Sequence, residues 1–263
     1  MRLSGLFVYP IKACAGIALD AAEVVERGLA DDRRYMLVDR MGTFVTQREV
    51  PRLCLVATAF EREQLVVSTP GKASFALPRR PPPSLALERH VYQVWDDFGN
   101  ALRHPEGSRW FSEFLDDEVS LVYMPDSERR HVNPKRARPD DIVSFADAYP
   151  LLLISEASLD DLNQRLAEPV EMRRFRPNLV ISGCEPYAED GFAELQIGGI
   201  AFRGVKRCER CVVTTVDPNT GEQGQEPLRT LSHYRLDDNK VWFGMNLIHD
   251  GSGTLRLGDA VIA

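Results

Sequence analysis

The stretch "FAELQIGGIAFRGV" (192–205) carries the pattern that decides the fold class. Short apolar runs alternate with polar residues and glycines stand at the turns, which is typical of neighbouring β-strands. Similar runs bounded by Gly, Asn or Asp surround it, namely "LVISG" (179–183), "CVVTTVD" (211–217), "VWFGMNLI" (241–248) and "TLRLGDAVI" (254–262). The second half of the chain, residues 96–263, is therefore predicted to be a second, β-rich domain.

The first 95 residues show the same kind of pattern. Alternating runs separated by turns include "LSGLFVYPI" (3–11), "RYMLVDRMG" (34–42), "LCLVATAFE" (53–61) and "QLVVSTPG" (64–71). This spacing predicts a compact, barrel-like β domain over residues 1–95. The segment "PRRPPPS" (78–84) is predicted to be a loop or edge segment, because proline lacks the backbone donor that a strand ladder needs.

Two segments predict helices within this mainly β, α+β chain. "EGSRWFSEFLDDE" (106–118) fits a helix capped by Ser108, with its aromatic residues on one side. "SEASLDDLNQRL" (155–166) has leucines at helical spacing, and Ser158 followed by Asp161 resembles a capping box at its start. Both helices are interpreted as scaffold elements.

The composition describes an acidic chain. Lys and Arg number 32 against 39 Asp and Glu, which gives a net charge of −7, so we expect no nucleic-acid binding and no membrane binding. The apolar run "YPLLLI" (149–154) is far below the roughly 20 residues of a membrane span. Five cysteines, an odd count, and a start that lacks an apolar signal region predict a soluble, cytoplasmic protein.

The segment "KRCERCVVTTVDPNTG" (206–221) is the main candidate for chemistry. Cys208 and Cys211 form a C-x-x-C pair, and basic residues such as Arg207 and Arg210 surround it. Positive charge near a thiol favours the thiolate, which is both a nucleophile and a ligand for soft metals. We therefore expect a reactive or metal-ligating sulfur here.

Three other interpretations of the cysteine pair stay open. Structural zinc needs two more ligands at matching spacing, whereas Cys14, Cys54 and Cys184 are isolated in the sequence. A thioredoxin-like pair opens a helix, whereas this pair precedes strand-like sequence. The third interpretation is a pair of incidental cysteines, one of them buried.

Basic residues also stand beside predicted turns. "RRFRPN" (173–178) places three arginines before a rigid turn, which indicates either an anion-binding turn or a solvated basic one. Lys12, Arg33 and Arg48 lie near predicted strand ends, and each taken singly is a surface charge or salt-bridge partner. The chain has no G-x-S-x-G, Walker or G-x-G-x-x-G motif, which disfavours serine hydrolases, P-loop proteins and dinucleotide-binding folds.

Taken in order, these segments resemble the MOSC superfamily. The chain is similar in particular to the group with an N-terminal β-barrel domain ahead of the MOSC domain, which includes the mitochondrial amidoxime-reducing components and their bacterial relatives. The matching segments span nearly the whole chain: "YPIKACAG" (9–16), "GLADDRRYMLVD" (28–39), "TQREVPRL" (46–53), "SEASLDDLN" (155–163), "RFRPNLVISG" (174–183), "YAEDGF" (187–192), "CERCVVTTVDPNTG" (208–221) and "PLRTLSHYR" (227–235).

The resemblance implies a molybdenum cofactor, a molybdopterin with a dithiolene and a phosphate, held between the two domains. It implies that Cys211, the second cysteine of the C-x-R-C segment, is the catalytic residue and the protein ligand to molybdenum. Thiolate and dithiolene sulfur form a coherent ligand set for such a metal. The further cofactor-binding residues that it implies are Lys12, Arg33, Arg176 and Asn178. Arg210, one of the basic residues around the cysteine pair, is also expected to contact the cofactor.

Some features depart from the family pattern. Ala13 stands where eukaryotic relatives often have serine, and Ala148 and Tyr149 stand in place of a threonine-serine pair, so those hydroxyl contacts do not carry over. Some bacterial relatives have a C-terminal iron–sulfur domain, whereas this sequence has no cysteine cluster beyond Cys211. The resemblance therefore implies a separate electron-donor protein of the ferredoxin or flavin reductase type.

Two functions compete on this reasoning. The first is a molybdenum-dependent oxidoreductase that reduces small N-oxygenated compounds, such as hydroxylamines, hydroxylated bases or amidoximes. The second is a sulfur carrier with a persulfide on Cys211, which acts in cofactor handling or with a pyridoxal-phosphate-dependent sulfurase. A cofactor-free binding module is the third possibility. Molybdenum and pterin content distinguish the three.

Overall fold

The computed structural model describes residues 1–263, and the predicted mainly β, α+β architecture is confirmed. The three helices are α1 (Pro105–Leu115), α2 (Glu156–Arg165) and α3 (Leu228–Tyr234). The strands are β1 (Arg2–Val8), β2 (Ile17–Ala18), β3 (Ala21–Val25), β4 (Gly28–Leu29), β5 (Tyr35–Val38), β6 (Ala57–Glu61), β7 (Gln64–Thr69), β8 (Lys72–Pro78), β9 (Glu88–Val94), β10 (Asp97–Arg103), β11 (Ser120–Tyr123), β12 (Leu151–Ser155), β13 (Leu179–Ser182), β14 (Glu194–Ile197), β15 (Ile200–Glu209), β16 (Leu236–Asp237), β17 (Lys240–His249), β18 (Gly253–Arg256) and β19 (Val261–Ile262). None of the helices is long and apolar enough to cross a membrane.

The largest sheet has nine strands in the order β19-β14-β15-β17-β12-β13-β1-β2, with β16 beside β17. β12 and β13 run parallel, and the other neighbouring strands run antiparallel. The hairpin of β14 and β15 forms within the 192–205 stretch, where Ile197 pairs with Ile200 across the two glycines. A core of 18 buried apolar residues, including Leu6, Leu153 and Phe202, packs against this sheet and stabilises it by the burial of apolar surface.

The first strands of the chain belong to the C-terminal half of the structure. β1 pairs with β13, and β3 pairs with β18 in a separate three-stranded sheet. The intervening strands form two smaller sheets, β5-β11-β10-β9 and β6-β7-β8, and α1 packs on β11 and β8. The division predicted at residue 95 falls in the turn of the β9–β10 hairpin, where Val94 pairs with Asp97. That boundary between domains stays a prediction.

One predicted strand is a helical turn instead. Residues 212–215 of "CVVTTVD" form a 3-10 turn directly after β15. The Thr214 hydroxyl donates to the Cys211 carbonyl at 3.0 Å, and the Thr215 hydroxyl donates to the Val212 carbonyl at 2.8 Å. These local bonds compete with a strand ladder and outweigh the β-propensity of valine and threonine. The prediction of a loop at 78–84 agrees with the structure, in which β8 ends at Pro78.

Both helices begin earlier than the sequence predicted. His104, and not Ser108, caps α1, because its Nδ1 accepts from the Gly107 amide at 3.1 Å. Ser108 lies inside the helix, where its hydroxyl donates to the His104 carbonyl at 2.8 Å. Ser155 caps α2 by accepting from the Ser158 amide at 3.1 Å. A serine three residues into a helix is thus easily mistaken for its cap.

Replacing the cap of α2 is expected to destabilise the protein. The Ser155→Ala variant loses the bond from the Ser158 amide, and we expect the free energy of unfolding to fall by about 1–2 kcal/mol. Urea unfolding followed by circular dichroism measures this change. The control is Ser232→Ala on α3, where the half-buried serine makes only a solvent-exposed bond to the Arg229 carbonyl, and we expect a change within about 0.5 kcal/mol. Equal losses in both variants would contradict the capping assignment.

Candidate functional site

A cleft of about 480 Å³ lies where the loops after β1, β4 and β5 meet the start of β13 and the end of β15. The elements that meet here are distant in sequence, and the mixed sheet and its N-terminal neighbours hold them together. The structure brings every residue that the sequence singled out for cofactor contact to the wall of this cleft, namely Lys12, Arg33, Arg176, Asn178, Arg210 and Cys211.

Positive charge predominates in the cleft, although the whole chain carries a net charge of −7. The cationic side chains of the wall are Lys12, Arg33, Arg48, Arg176, Lys206 and Arg210. The wall has only two carboxylates, Asp147 and Glu209. A concave surface lined by one sign of charge concentrates ligands of the opposite sign. The cleft is therefore suited to an anion.

Cys211 lies two residues after the end of β15, at the residue that caps the 3-10 turn, and its side chain is half-buried. An Nη atom of Arg48 donates to the Cys211 Sγ at 3.7 Å, so a cation lies beside this sulfur. Cys208 also lines the cleft, but its Sγ lies 3.0 Å from Arg210 and it packs against the aromatic core beneath α2 and α3. The two cysteines thus have different surroundings.

Lys12 is a buried cation in the floor of the cleft. Its Nζ donates to the Phe145 carbonyl at 2.7 Å and forms an ion pair with Asp147. Burial lowers the pKa of Lys12 to about 8, although the neighbouring carboxylate of Asp147 opposes the change. Lys12 is therefore a cation whose charge is sensitive to pH just above neutrality.

The sequence did not assign Asp147 and Arg48 to the site. Asp147 pairs with Lys12 on one side and with Arg48, at 3.1 Å, on the other. Desolvation in the cleft raises the pKa of the half-exposed Asp147, but the two cations outweigh that effect and hold the pKa below its ordinary value. The T-x-R pattern pointed to Arg48 only through its position after a strand. Nothing in the sequence around Asp147 indicated a role, because its partners are far away along the chain.

The Asn178 side chain connects several segments of the site by hydrogen bonds. Its Oδ1 accepts from the Leu152 amide at 3.2 Å and from Arg33 at 3.1 Å, and its Nδ2 donates to the Phe7 carbonyl at 3.2 Å. Arg33 also forms an ion pair with the buried Asp32 at 2.7 Å. These bonds use most of the hydrogen-bonding capacity of the buried Asn178 side chain. Its main role in this structure is to join β1, β12 and the Arg33 loop.

Two arginines have unsatisfied buried donors. Arg176 donates from one Nη to the Cys14 carbonyl at 2.7 Å and lies 4.2 Å from the Tyr9 ring centroid, while its other Nη has no partner. Arg210 donates to the Phe175 carbonyl at 2.7 Å, and its Nε has no partner. A buried polar group without a hydrogen bond is costly, and such groups at functional sites indicate a missing ligand.

The donors of the cleft fit a phosphate-bearing group with a soft metal. The unpartnered arginine donors and the excess of cations suit phosphate, and the Cys211 sulfur suits a soft metal. No three His, Cys, Asp or Glu side chains lie close enough together to hold a metal ion, so Cys211 can ligate one only beside donors that a cofactor brings. Ala13, Ala148 and Tyr149 also line the cleft, and the two alanines offer no hydroxyl there.

Comparison with known proteins agrees with this arrangement. Residues 1–118 match the MOSC N-terminal beta barrel domain, and residues 140–262 match the MOSC domain. The chain is 37% identical to mitochondrial amidoxime reducing component 2 of Rattus norvegicus, over 98% of this chain and 82% of the relative. It is 35% identical to mitochondrial amidoxime-reducing component 1 of Homo sapiens, over 97% and 81%.

A longer relative matches as well. The chain is 32% identical to the molybdenum cofactor sulfurase of Solanum lycopersicum, over 99% of this chain but only 35% of that protein. The similarity to the amidoxime-reducing components covers both domains and most of each protein. The chain therefore belongs to the MOSC family, in the group whose members carry the MOSC N-terminal β-barrel domain ahead of the MOSC domain.

Proposed function

We propose that the cleft binds a molybdenum cofactor through Cys211 and that the protein reduces N-hydroxylated compounds with electrons from a separate donor protein. The observation that carries the proposal is the pairing of a half-buried cysteine with unpartnered, buried arginine donors in one cation-lined cleft. The amidoxime-reducing names of the relatives support the choice of substrate class.

The residues of the cleft have different roles in binding the cofactor. Cys211 supplies the protein sulfur to the metal, while Arg176, Arg210 and Lys12 supply charge to the phosphate. Arg33 and Asn178 hold the floor of the cleft through the bonds described above. Asp147 keeps Arg48 beside the Cys211 sulfur. These groups orient the bound molecule before reaction, which is the contribution that a protein makes to cofactor chemistry.

When bound, the cofactor supplies the two-electron redox chemistry. Reduction of an N-hydroxyl group takes two electrons and two protons and releases water. The chain must therefore leave the cleft open to a substrate, and its wall reaches the protein surface at Arg48 and at the half-exposed Trp95. The cytoplasmic location stays a prediction, since the amidoxime-reducing relatives are mitochondrial by name.

Production in a host that makes molybdopterin tests the proposal. We expect close to one molybdenum and one pterin per chain, and reduction of benzamidoxime when a chemically reduced viologen supplies the electrons. Metal analysis, pterin fluorescence and product chromatography measure these quantities. Protein from such a host that contains neither molybdenum nor pterin would exclude the proposal.

A second candidate function is sulfur transfer. The similarity to a molybdenum cofactor sulfurase and the exposed part of Cys211 beside Arg48 favour it. In that case Cys211 carries a persulfide and works with a pyridoxal-phosphate-dependent sulfurase or in cofactor handling. Mass spectrometry of the intact protein separates the two functions, because a single added sulfur atom on Cys211 without pterin favours transfer over reduction.

A further inference from the structure

Trp95 forms part of the mouth of the cleft. Its side chain lines both the 480 Å³ cleft and an adjoining cavity of about 630 Å³ that shares Asp147 and Ala148 with it. The Trp95 ring centroid lies 4.8 Å from the guanidinium carbon of Arg48, which in turn contacts the Cys211 sulfur. A single residue, Arg48, therefore separates Trp95 from the Cys211 sulfur, where the reaction is expected.

The backbone at Trp95 is strained. Trp95 is the first of the two residues that join β9 to β10, and its φ is 55°. Glycine and asparagine are the residues that suit a positive φ in a two-residue hairpin loop, and a bulky side chain there is an outlier. Strain of this kind persists only where contacts from the surrounding structure fix the conformation.

The Trp95 side chain is held in place but not covered. Arg48 lies over the ring, and Phe44 packs against it edge-on with ring centroids 5.0 Å apart. The side chain nevertheless remains 49% exposed, whereas the other two tryptophans, Trp110 and Trp242, are buried. A rigid aromatic ring at the mouth of a cleft is a stacking surface for flat molecules.

We infer that Trp95 is the aromatic subsite of the cleft, which stacks on planar N-hydroxylated substrates and selects them over small aliphatic ones. The part of this inference that concerns turnover rests on the proposed reductase function. Stacking binds the planar part of the substrate away from the reacting nitrogen. Stacking contributes nothing to the binding of a substrate that carries only a small aliphatic group beside the reacting nitrogen.

Comparison of two amidoximes tests the inference. For cofactor-loaded protein we expect Trp95→Ala to lower kcat/KM for benzamidoxime about tenfold, mainly through KM, and to leave acetamidoxime within about twofold. Trp95→Phe keeps a ring and is expected to recover most of the benzamidoxime activity. The matched control is Phe98→Ala, which removes a 67% exposed aromatic ring that lines the adjoining cavity but not the cleft. Equal losses for both amidoximes, or equal losses in the Phe98 control, would overturn the assignment.

Fluorescence gives a second readout that needs no turnover. Because Trp95 is the exposed tryptophan, acrylamide quenching of the cofactor-loaded protein reports mainly on it. We expect benzamidine, a flat analogue that cannot be reduced, to protect this signal, and acetamidine to leave it unchanged. Protection that persists in Trp95→Phe would overturn the inference. If the wild type reduces neither amidoxime, the proposed reductase function fails, whereas the quenching result still decides the role of Trp95.

Discussion

Replacement of Cys211 with alanine is expected to abolish molybdenum retention and to lower benzamidoxime reduction more than about 100-fold. Loss of a group that merely supports a metal ligand costs 10–100-fold, and loss of the ligand itself exceeds that range. The half-buried Cys211 sulfur lies beside the Arg48 guanidinium, and unlike Cys208 it does not pack against the aromatic core. Metal analysis of variant and wild type, prepared side by side, measures the effect.

Cys208→Ala is the matched control, because it removes the other cysteine of the same C-x-x-C segment. Cys208 accepts a hydrogen bond from Arg210 and packs against the aromatic core, and it has no hydrogen bond to Cys211 or Arg48, so its loss is expected to change metal content less than about threefold. Full metal content in Cys211→Ala, or loss of metal only in Cys208→Ala, would contradict the ligand assignment.

Substitution of Lys12 with methionine is expected to remove two pH dependences of the wild type. The free energy of unfolding rises with pH in the wild type, and the affinity for anions falls. Burial lowers the pKa of Lys12 from 10.5 to about 8. Between these values the unfolded chain binds a proton that the folded protein has released, so the free energy of unfolding rises with pH in this interval. Relative to Lys12→Met, the wild type should gain about 3 kcal/mol between pH 8 and pH 10.5. Urea unfolding of cofactor-free protein at a series of pH values measures the difference.

The affinity of the wild type for anions should fall as pH rises. A bound anion favours the charged form of Lys12, so affinity is highest below the folded pKa and falls as pH rises through about 8. Sulfate keeps its charge in this range, and its affinity for cofactor-free wild type is expected to fall about tenfold from pH 7 to pH 9. Lys12→Met should bind sulfate weakly at both pH values.

The control for both profiles is Lys72→Met. Lys72 pairs with Glu113 on α1, outside the cleft, and its loss should leave the sulfate profile of the wild type in place. Calorimetry of sulfate binding supplies the measurement. A flat wild-type profile, or a profile in Lys12→Met equal to that of the wild type, would show that Lys12 does not face the anion.

The local patterns of the sequence predicted much of this protein. Alternation of apolar residues and glycine turns predicted the β-rich architecture, and the ordered segments identified the MOSC family, since both depend on neighbouring residues. The basic residues beside turns, such as Lys12 and Arg176, were also visible, and the structure places them in one cleft. Their role as cofactor ligands stays a proposal.

Other features depend on contacts between distant segments. The pairing of β1 with β13 joins the start of the chain to its second half, and no local pattern specifies such a partner. The role of Asp147 between Lys12 and Arg48 has the same origin, because charges separated by more than 90 positions meet only after folding.

Trp95 is the clearest example of a residue whose position at the cleft the sequence does not indicate. In the sequence it stands at the predicted end of the first domain with nothing to distinguish it, while in the structure a positive φ and contacts from Phe44 and Arg48 present its ring at the mouth of the cleft. The sequence by itself determined the fold class and the family, and it predicted Cys211 as the reactive sulfur. Only the tertiary structure decided which residues surround that sulfur, because burial, pairing of charges and strain arise from residues that the chain brings together through space.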